Sequence, residues 1–155
     1  MSSPNRADAD PSVLSVRVLV VDDWEPFRRF VCAELGKRAD LQVVGEASDG
    51  LEAVQKAVEL TPDLILLDIG LPTLNGIEAA QQIRDVVPES KIVFLSQETS
   101  ADVVQEALDS GALGYVVKAK AGSELLAAVD AVLLGTTFIG STHRQTTISY
   151  PALPS

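Results

Sequence analysis

The sequence predicts an α/β fold, an open, doubly wound parallel sheet of five strands with five helices on its two faces. Three observations point there. Short apolar runs alternate with helix-length amphipathic segments through most of the 155 residues, the pattern of repeated βα units. The clearest run, Leu64–Leu67, is continuously apolar, as a strand covered on both faces is. It ends abruptly at a carboxylate, Asp68, before the turn residues Gly70 and Pro72, and three other runs also end in polar residues.

Taken in order, residues 1–14 are rich in Ser, Pro, Asn and Asp and read as a disordered tail. Val16–Val21 is the first strand, ending in Asp22 and Asp23. Pro26 suits the first turn of the helix that follows. That helix places Phe27, Phe30, Val31 and Leu35 on one face and finishes at Gly36 and Lys37-Arg38. Leu41–Ala47 is the second strand. Ser48-Asp49-Gly50 turns into a second helix with Leu51, Val54 and Val58 at helical spacing, stopped by Thr61-Pro62. After the third strand comes a helix from about Asn75 to Val87, with Ile77, Ala80, Ile83 and Val87 inward and Pro88 closing it. Ile92–Leu95 is the fourth strand, ending in Ser96. The fourth helix spans about Ser100–Ser110, with Thr99 or Ser100 as cap and Gly111 as the residue just past its end. Gly114–Val117, ending in Lys118, is the fifth strand. The fifth helix runs from about Ser123 to Leu134 and buries Leu125, Leu126, Val129, Val132 and Leu133.

Composition excludes several functions. There are 22 acidic residues against 12 Lys plus Arg, a net charge of -10. A phosphate-backbone reader needs a basic face, so direct nucleic-acid binding by this chain is not expected. No apolar run approaches the roughly 20 residues of a membrane span, and residues 1–11 lack a signal-peptide pattern. Cys32, the single cysteine, has no internal disulfide partner. A cytoplasmic, reducing setting is therefore expected, with Cys32 a small core residue.

Short right-handed crossovers bring the strand ends to one edge of an open sheet, where such folds bind ligands. Asp22, Asp23, Asp68, Ser96 and Lys118 are distant in sequence but meet there. Adjacent carboxylates repel unless one is protonated or a cation sits among them. Oxygen ligands with room for water suit Mg²⁺, and the Gly70 carbonyl offers another oxygen. Lysine, hydroxyl and Mg²⁺ are the groups that neutralise a phosphoryl group in transfer. An aspartate can itself accept phosphorus as an acyl phosphate, and Asp68, with a flexible Gly-Leu-Pro loop after it, is the best candidate. Taken alone, the acid pair fits a solvated turn and Lys118 a surface lysine; their value comes from shared position.

This arrangement resembles the receiver domain of two-component response regulators over about residues 16–134. The carriers are Asp22-Asp23, Asp68, Ser96 and Lys118 in the right strand order, with Asp68-Ile69-Gly70-Leu71-Pro72, Asn75-Gly76 and Gly111-Ala112-Leu113-Gly114-Tyr115. The resemblance implies a flavodoxin-like sheet of order 2-1-3-4-5. It implies that Asp68 takes a phosphoryl group from a histidine kinase or phosphotransfer protein. Asp22, Asp23, Asp68 and the Gly70 carbonyl would hold Mg²⁺. Lys118 would pair with phosphoryl oxygens, Ser96 would donate its hydroxyl, and Tyr115 would be the switch aromatic that turns inward. Many receivers have proline after the lysine; here Ala119 follows, as in receivers attached to LuxR-type DNA-binding domains. Gln97 stands where a small residue is usual and predicts altered autodephosphorylation.

The expected output face is the fourth helix, fifth strand and fifth helix, with a homodimer through helices one and five as another contact. Residues 15–134 form the receiver domain; residues 135–155 resemble the start of a linker and are too short for a three-helix DNA reader. Transcriptional control would then lie in a longer parent protein. Two other readings remain: a Mg²⁺ phosphohydrolase with an aspartyl-phosphate intermediate, and an unphosphorylated adaptor. The first lacks the usual Asp-x-Asp and any cap insertion; the intact acid set argues against the second. A cofactor-binding module is disfavoured because no Gly- or Ser/Thr-rich phosphate loop follows the first strand. Trp24 reads as a reporter of metal binding or a half-buried packing residue, and His143 as an ordinary tail residue.

Overall fold

The computed structural model describes residues 15–140. The expectations for the first 14 residues, for the chain beyond 140 and for His143 fall outside the described residues.

Six parallel strands form one sheet in the order β2-β1-β3-β4-β5-β6. They are β1 (Val16–Val21), β2 (Leu41–Ala47), β3 (Leu64–Asp68), β4 (Lys91–Ser96), β5 (Gly114–Val117) and β6 (Phe138–Ile139). The helices are α1 (Glu25–Leu35), α2 (Gly50–Leu60), α3 (Gly76–Val86), α4 (Ala101–Asp109) and α5 (Ala121–Leu133). The predicted class and the 2-1-3-4-5 core stand, and the sheet gains a sixth strand. β6 pairs with β5 through Phe138 N–H to the Leu113 carbonyl (2.9 Å) and Gly140 N–H to the Tyr115 carbonyl (2.8 Å). A two-residue strand is too short to show any periodicity in sequence.

Side chains of β3 alternate between two cores. Ile65 and Leu67 pack with α2, α3 and α4, whereas Leu64 and Leu66 pack with α1 and α5. This two-sided burial is why the strand reads as continuously apolar. α3 starts with a full capping box, Asn75 to the Glu78 N–H and Glu78 back to Asn75. Ser100 caps α4, accepting from the Val103 N–H. Gly111 follows that helix at φ 99°, a conformation open to glycine at a helix end.

Four expectations require correction. Phe30 on α1 and Leu51 and Val58 on α2 are exposed rather than inward; Ala53 and Ala57 face the sheet instead. α2 lies too close for larger groups. A Cβ on Gly45 of β2 would sit 2.7 Å from Leu60 Cδ1, and one on Gly50 would sit 1.8 Å from the Leu74 carbonyl oxygen. Cys32 is half-buried, packed against the core from its edge rather than enclosed in it. α5 begins at Ala121, two residues early, because a 3-10 turn over Lys118–Lys120 leads straight into it. Trp24 is 63% exposed, not half-buried.

Candidate functional site

Register sets the site. Val21 pairs with Leu67, so Asp22 and Asp68 leave adjacent strands side by side. Asp68 itself pairs with Leu95, and Ser96 with Val117, which carries the row on to Ser96 and Lys118. This is the carboxyl edge of the sheet at its topological switch point, between β1 and β3. A cleft of about 810 Å³ opens over it, lined among others by Asp23, Asp68, Gly70, Ser96 and Lys118.

The polar groups are buried to different degrees. Asp22 is 1% exposed and Asp68 6%, while Asp23 lies open. The Lys118 ammonium sits 2.7 Å from Asp22 Oδ2 and 3.5 Å from Asp68 Oδ2, and 4.8 Å over the Phe27 ring. The Trp24 N–H donates to Asp22 Oδ1 at 2.9 Å. The Gly70 N–H donates to Asp68 Oδ1 at 3.2 Å. Burial raises the Asp68 carboxyl above its ordinary value; Lys118 opposes this and Asp22 adds to it.

One ammonium among three carboxylates leaves the site net negative. Oxygens of Asp22, Asp23 and Asp68 all lie within 4.8 Å of one another. Asp22 Oδ2 is buried and makes no hydrogen bond, although it is ion-paired with Lys118. A crowded, hard, all-oxygen donor set with one under-coordinated buried oxygen fits Mg²⁺.

Ser96 is buried, and its Oγ accepts from the Glu98 N–H at 3.0 Å. Tyr115 is fully buried, and its hydroxyl donates to the Glu98 carbonyl at 2.9 Å. Burial pushes its phenol up. Ser96 and Tyr115 are thus joined through one backbone residue, and Tyr115 already lies inward. Sequence reasoning missed Glu98 as this bridge and Phe27 as a wall of the cleft. Glu98's position two residues beyond Ser96 was the available signal. α3 fixes the base of the site: a Cβ on Gly76 would lie 2.0 Å from the Asp68 carbonyl oxygen.

Residues 18–130 match the response regulator receiver domain family. The chain belongs to that family. It is 40% identical over 120 residues to the transcriptional regulatory protein LiaR of Bacillus subtilis (strain 168), covering 77% of this chain and 57% of that protein. A LuxR-family two-component response regulator from Aurantimonas sp. SI85-9A1 superposes with a TM-score of 0.77 at 32% identity, covering 80% of this chain and 89% of that one. The receiver domain of the putative response regulator NarL from Mycobacterium tuberculosis gives 0.75 at 32% identity, covering 79% and 98%. The receiver thus spans little more than half the length of the curated relative. Among the described residues no helix is long and apolar enough to cross a membrane.

Proposed function

We propose that this receiver is a phosphorylation-dependent switch with Asp68 as the phosphoacceptor. The observation that carries the reading is the placement of Asp68. It is a buried carboxylate at the floor of a cleft, 3.5 Å from a lysine and within 4.8 Å of two further carboxylates. No other described carboxylate cluster combines an entry path, a fixed cation and metal-ligating neighbours. Asp22, Asp23, Asp68 and the Gly70 carbonyl would hold Mg²⁺, which when bound neutralises charge on the transferring phosphoryl group.

The chain's own groups have separate tasks. The Gly70 N–H fixes one Asp68 oxygen and leaves the other toward Lys118. Lys118 is shared with Asp22 and can turn to a phosphoryl oxygen. Ser96 would surrender its bond from Glu98 to donate its hydroxyl to the phosphoryl group. Because Glu98 also accepts from Tyr115, that exchange reaches β5 and the face it forms with α4 and α5. A local charge change then biases a two-state element.

The donor is a histidine kinase or phosphotransfer protein, in the cytoplasm. The output is a partner contact or homodimer that controls transcription within a longer parent protein. The chain assists its own phosphorylation and dephosphorylation and turns over no other substrate. The phosphohydrolase and adaptor readings are separated by one experiment. Protein is incubated with Mg²⁺ and acetyl phosphate, and intact mass is measured for wild type and Asp68→Asn. One added phosphoryl group on wild type alone supports the switch. Turnover of unrelated phosphate esters supports the hydrolase, and no adduct supports the adaptor.

A further inference from the structure

The cleft has an aromatic wall to which the phosphoacceptor reading gives no task. Trp24 lines it together with Phe27 and is 63% exposed. Its backbone is held firmly: the N–H donates to Asp22 Oδ1 at 2.9 Å, and the carbonyl accepts from the Arg28 N–H at 3.1 Å. A large aromatic that exposes most of its surface adds little to folding, and its ring surface is open to contact. It is also the sole tryptophan of the chain.

Geometry says what reaches it. Asp68 is only 6% exposed, whereas Trp24 on the same cleft is 63% exposed, so a phosphoryl donor reaches Asp68 from the exposed side that carries Trp24. In-line attack then puts the leaving group opposite the Asp68 oxygen, toward that side. Asp23 and Glu98 line the same cleft and make it anionic, which suits a donor whose ring carries positive charge before transfer. We propose that Trp24 is a donor-recognition residue whose indole stacks on the protonated imidazole ring of a phosphohistidine-type donor. The inference rests on the phosphoacceptor reading. In the step, an Asp68 carboxylate oxygen forms the new O–P bond as the P–N bond breaks. The imidazole nitrogen keeps the electron pair of that bond. The ring, already protonated on its other nitrogen, departs as neutral imidazole. A face-on cation gains most from tryptophan among the aromatic side chains. A small acyl phosphate has no ring to offer.

The test compares two donors, phosphoimidazole and acetyl phosphate, both with Mg²⁺, on wild type, Trp24→Ala and Trp24→Phe. The expected result is a fall of about 5- to 30-fold in the rate with phosphoimidazole for Trp24→Ala, a change within about twofold with acetyl phosphate, and partial recovery in Trp24→Phe. In Asp68→Asn, which cannot accept phosphorus, phosphoimidazole is expected to change the Trp24 fluorescence saturably. Equal falls with both donors, or no fall with either, overturn the role of Trp24 and leave the phosphoacceptor intact. Failure of both donors on wild type overturns the phosphoacceptor reading and this inference together.

Discussion

Removing the charge of Asp68 should make the metal-free protein more stable. Asp68 lies within 4.8 Å of carboxylate oxygens of Asp22 and Asp23. At an effective dielectric constant of about 20, each such pair repels by about 3.5 kcal/mol, and exposure of Asp23 screens its share to about half. Lys118 at 3.5 Å returns about 5 kcal/mol on the same scale. Attraction and repulsion thus nearly cancel, and the desolvation of a carboxylate only 6% exposed is left uncompensated. The raised Asp68 carboxyl has the same sign. A folded-state value above the unfolded one means that stability is fully present at low pH and is lost as pH rises through the folded value. The ionised group therefore costs stability at neutral pH. In Asp68→Asn, Lys118 keeps its shorter partner Asp22, and an amide oxygen can still accept from the Gly70 N–H. The expected gain in EDTA is about 1–3 kcal/mol, a rise in melting temperature of about 3–10 °C. Mg²⁺ at a hundred times its dissociation constant should then stabilise wild type by about 2.7 kcal/mol and the variant far less. Thermal melts of both proteins with EDTA and with Mg²⁺ read this directly. An Asp68→Asn protein that melts at or below wild type in EDTA, or that gains equally from Mg²⁺, refutes the reasoning.

Four further outcomes are expected. Gly76→Ala should destabilise by about 2–3 kcal/mol in urea titrations, since its Cβ meets the backbone of Asp68 and Ile69. Gly70→Ala, with nothing within 4 Å, should stay within about 0.5 kcal/mol. Gln97, which lines the cleft, should govern access of water, so Gln97→Ala should alter the lifetime of the phosphorylated protein; identical decay curves would remove that role. Burial, aided by Glu46, pushes the Cys32 thiol up to about 11. At about pH 8 its thiolate is scarcer by about a hundredfold, partly offset by the greater reactivity of a more basic thiolate. Iodoacetamide should therefore alkylate it about tenfold more slowly in the folded protein than in urea, and equal rates would contradict the shift.

The parts of the molecule read easily from sequence are those where one local signal decides the outcome. The β3 run is apolar throughout because both faces are covered, and Asp68 interrupts it at the strand end. Once strand order was set, the same rule gathered Asp22, Ser96 and Lys118, which the observed register places in one row. The failures occur where distant backbone decides. Leu51, Val54 and Val58 have a helical spacing as good as any, yet only Val54 packs against the core. The approach of α2 to Gly45 and Leu74 selects Ala53 and Ala57 for the interior in place of Leu51 and Val58. β6 depends on a free edge of β5, which no local pattern announces. In the bridge between Ser96 and Tyr115, Glu98 uses only its backbone N–H and carbonyl, so its side chain gives no sign of the role and its spacing from Ser96 is the one trace in the sequence.

The most direct test of the site is chemical mapping of the phosphoryl group. Protein treated with Mg²⁺ and phosphodonor is reduced with borohydride, which converts an aspartyl phosphate to homoserine, and is then digested and sequenced by tandem mass spectrometry. Homoserine at residue 68 alone is the expected result. Homoserine at residue 22 or 23, or none at residue 68 under conditions that add a phosphoryl group to the chain, would contradict it.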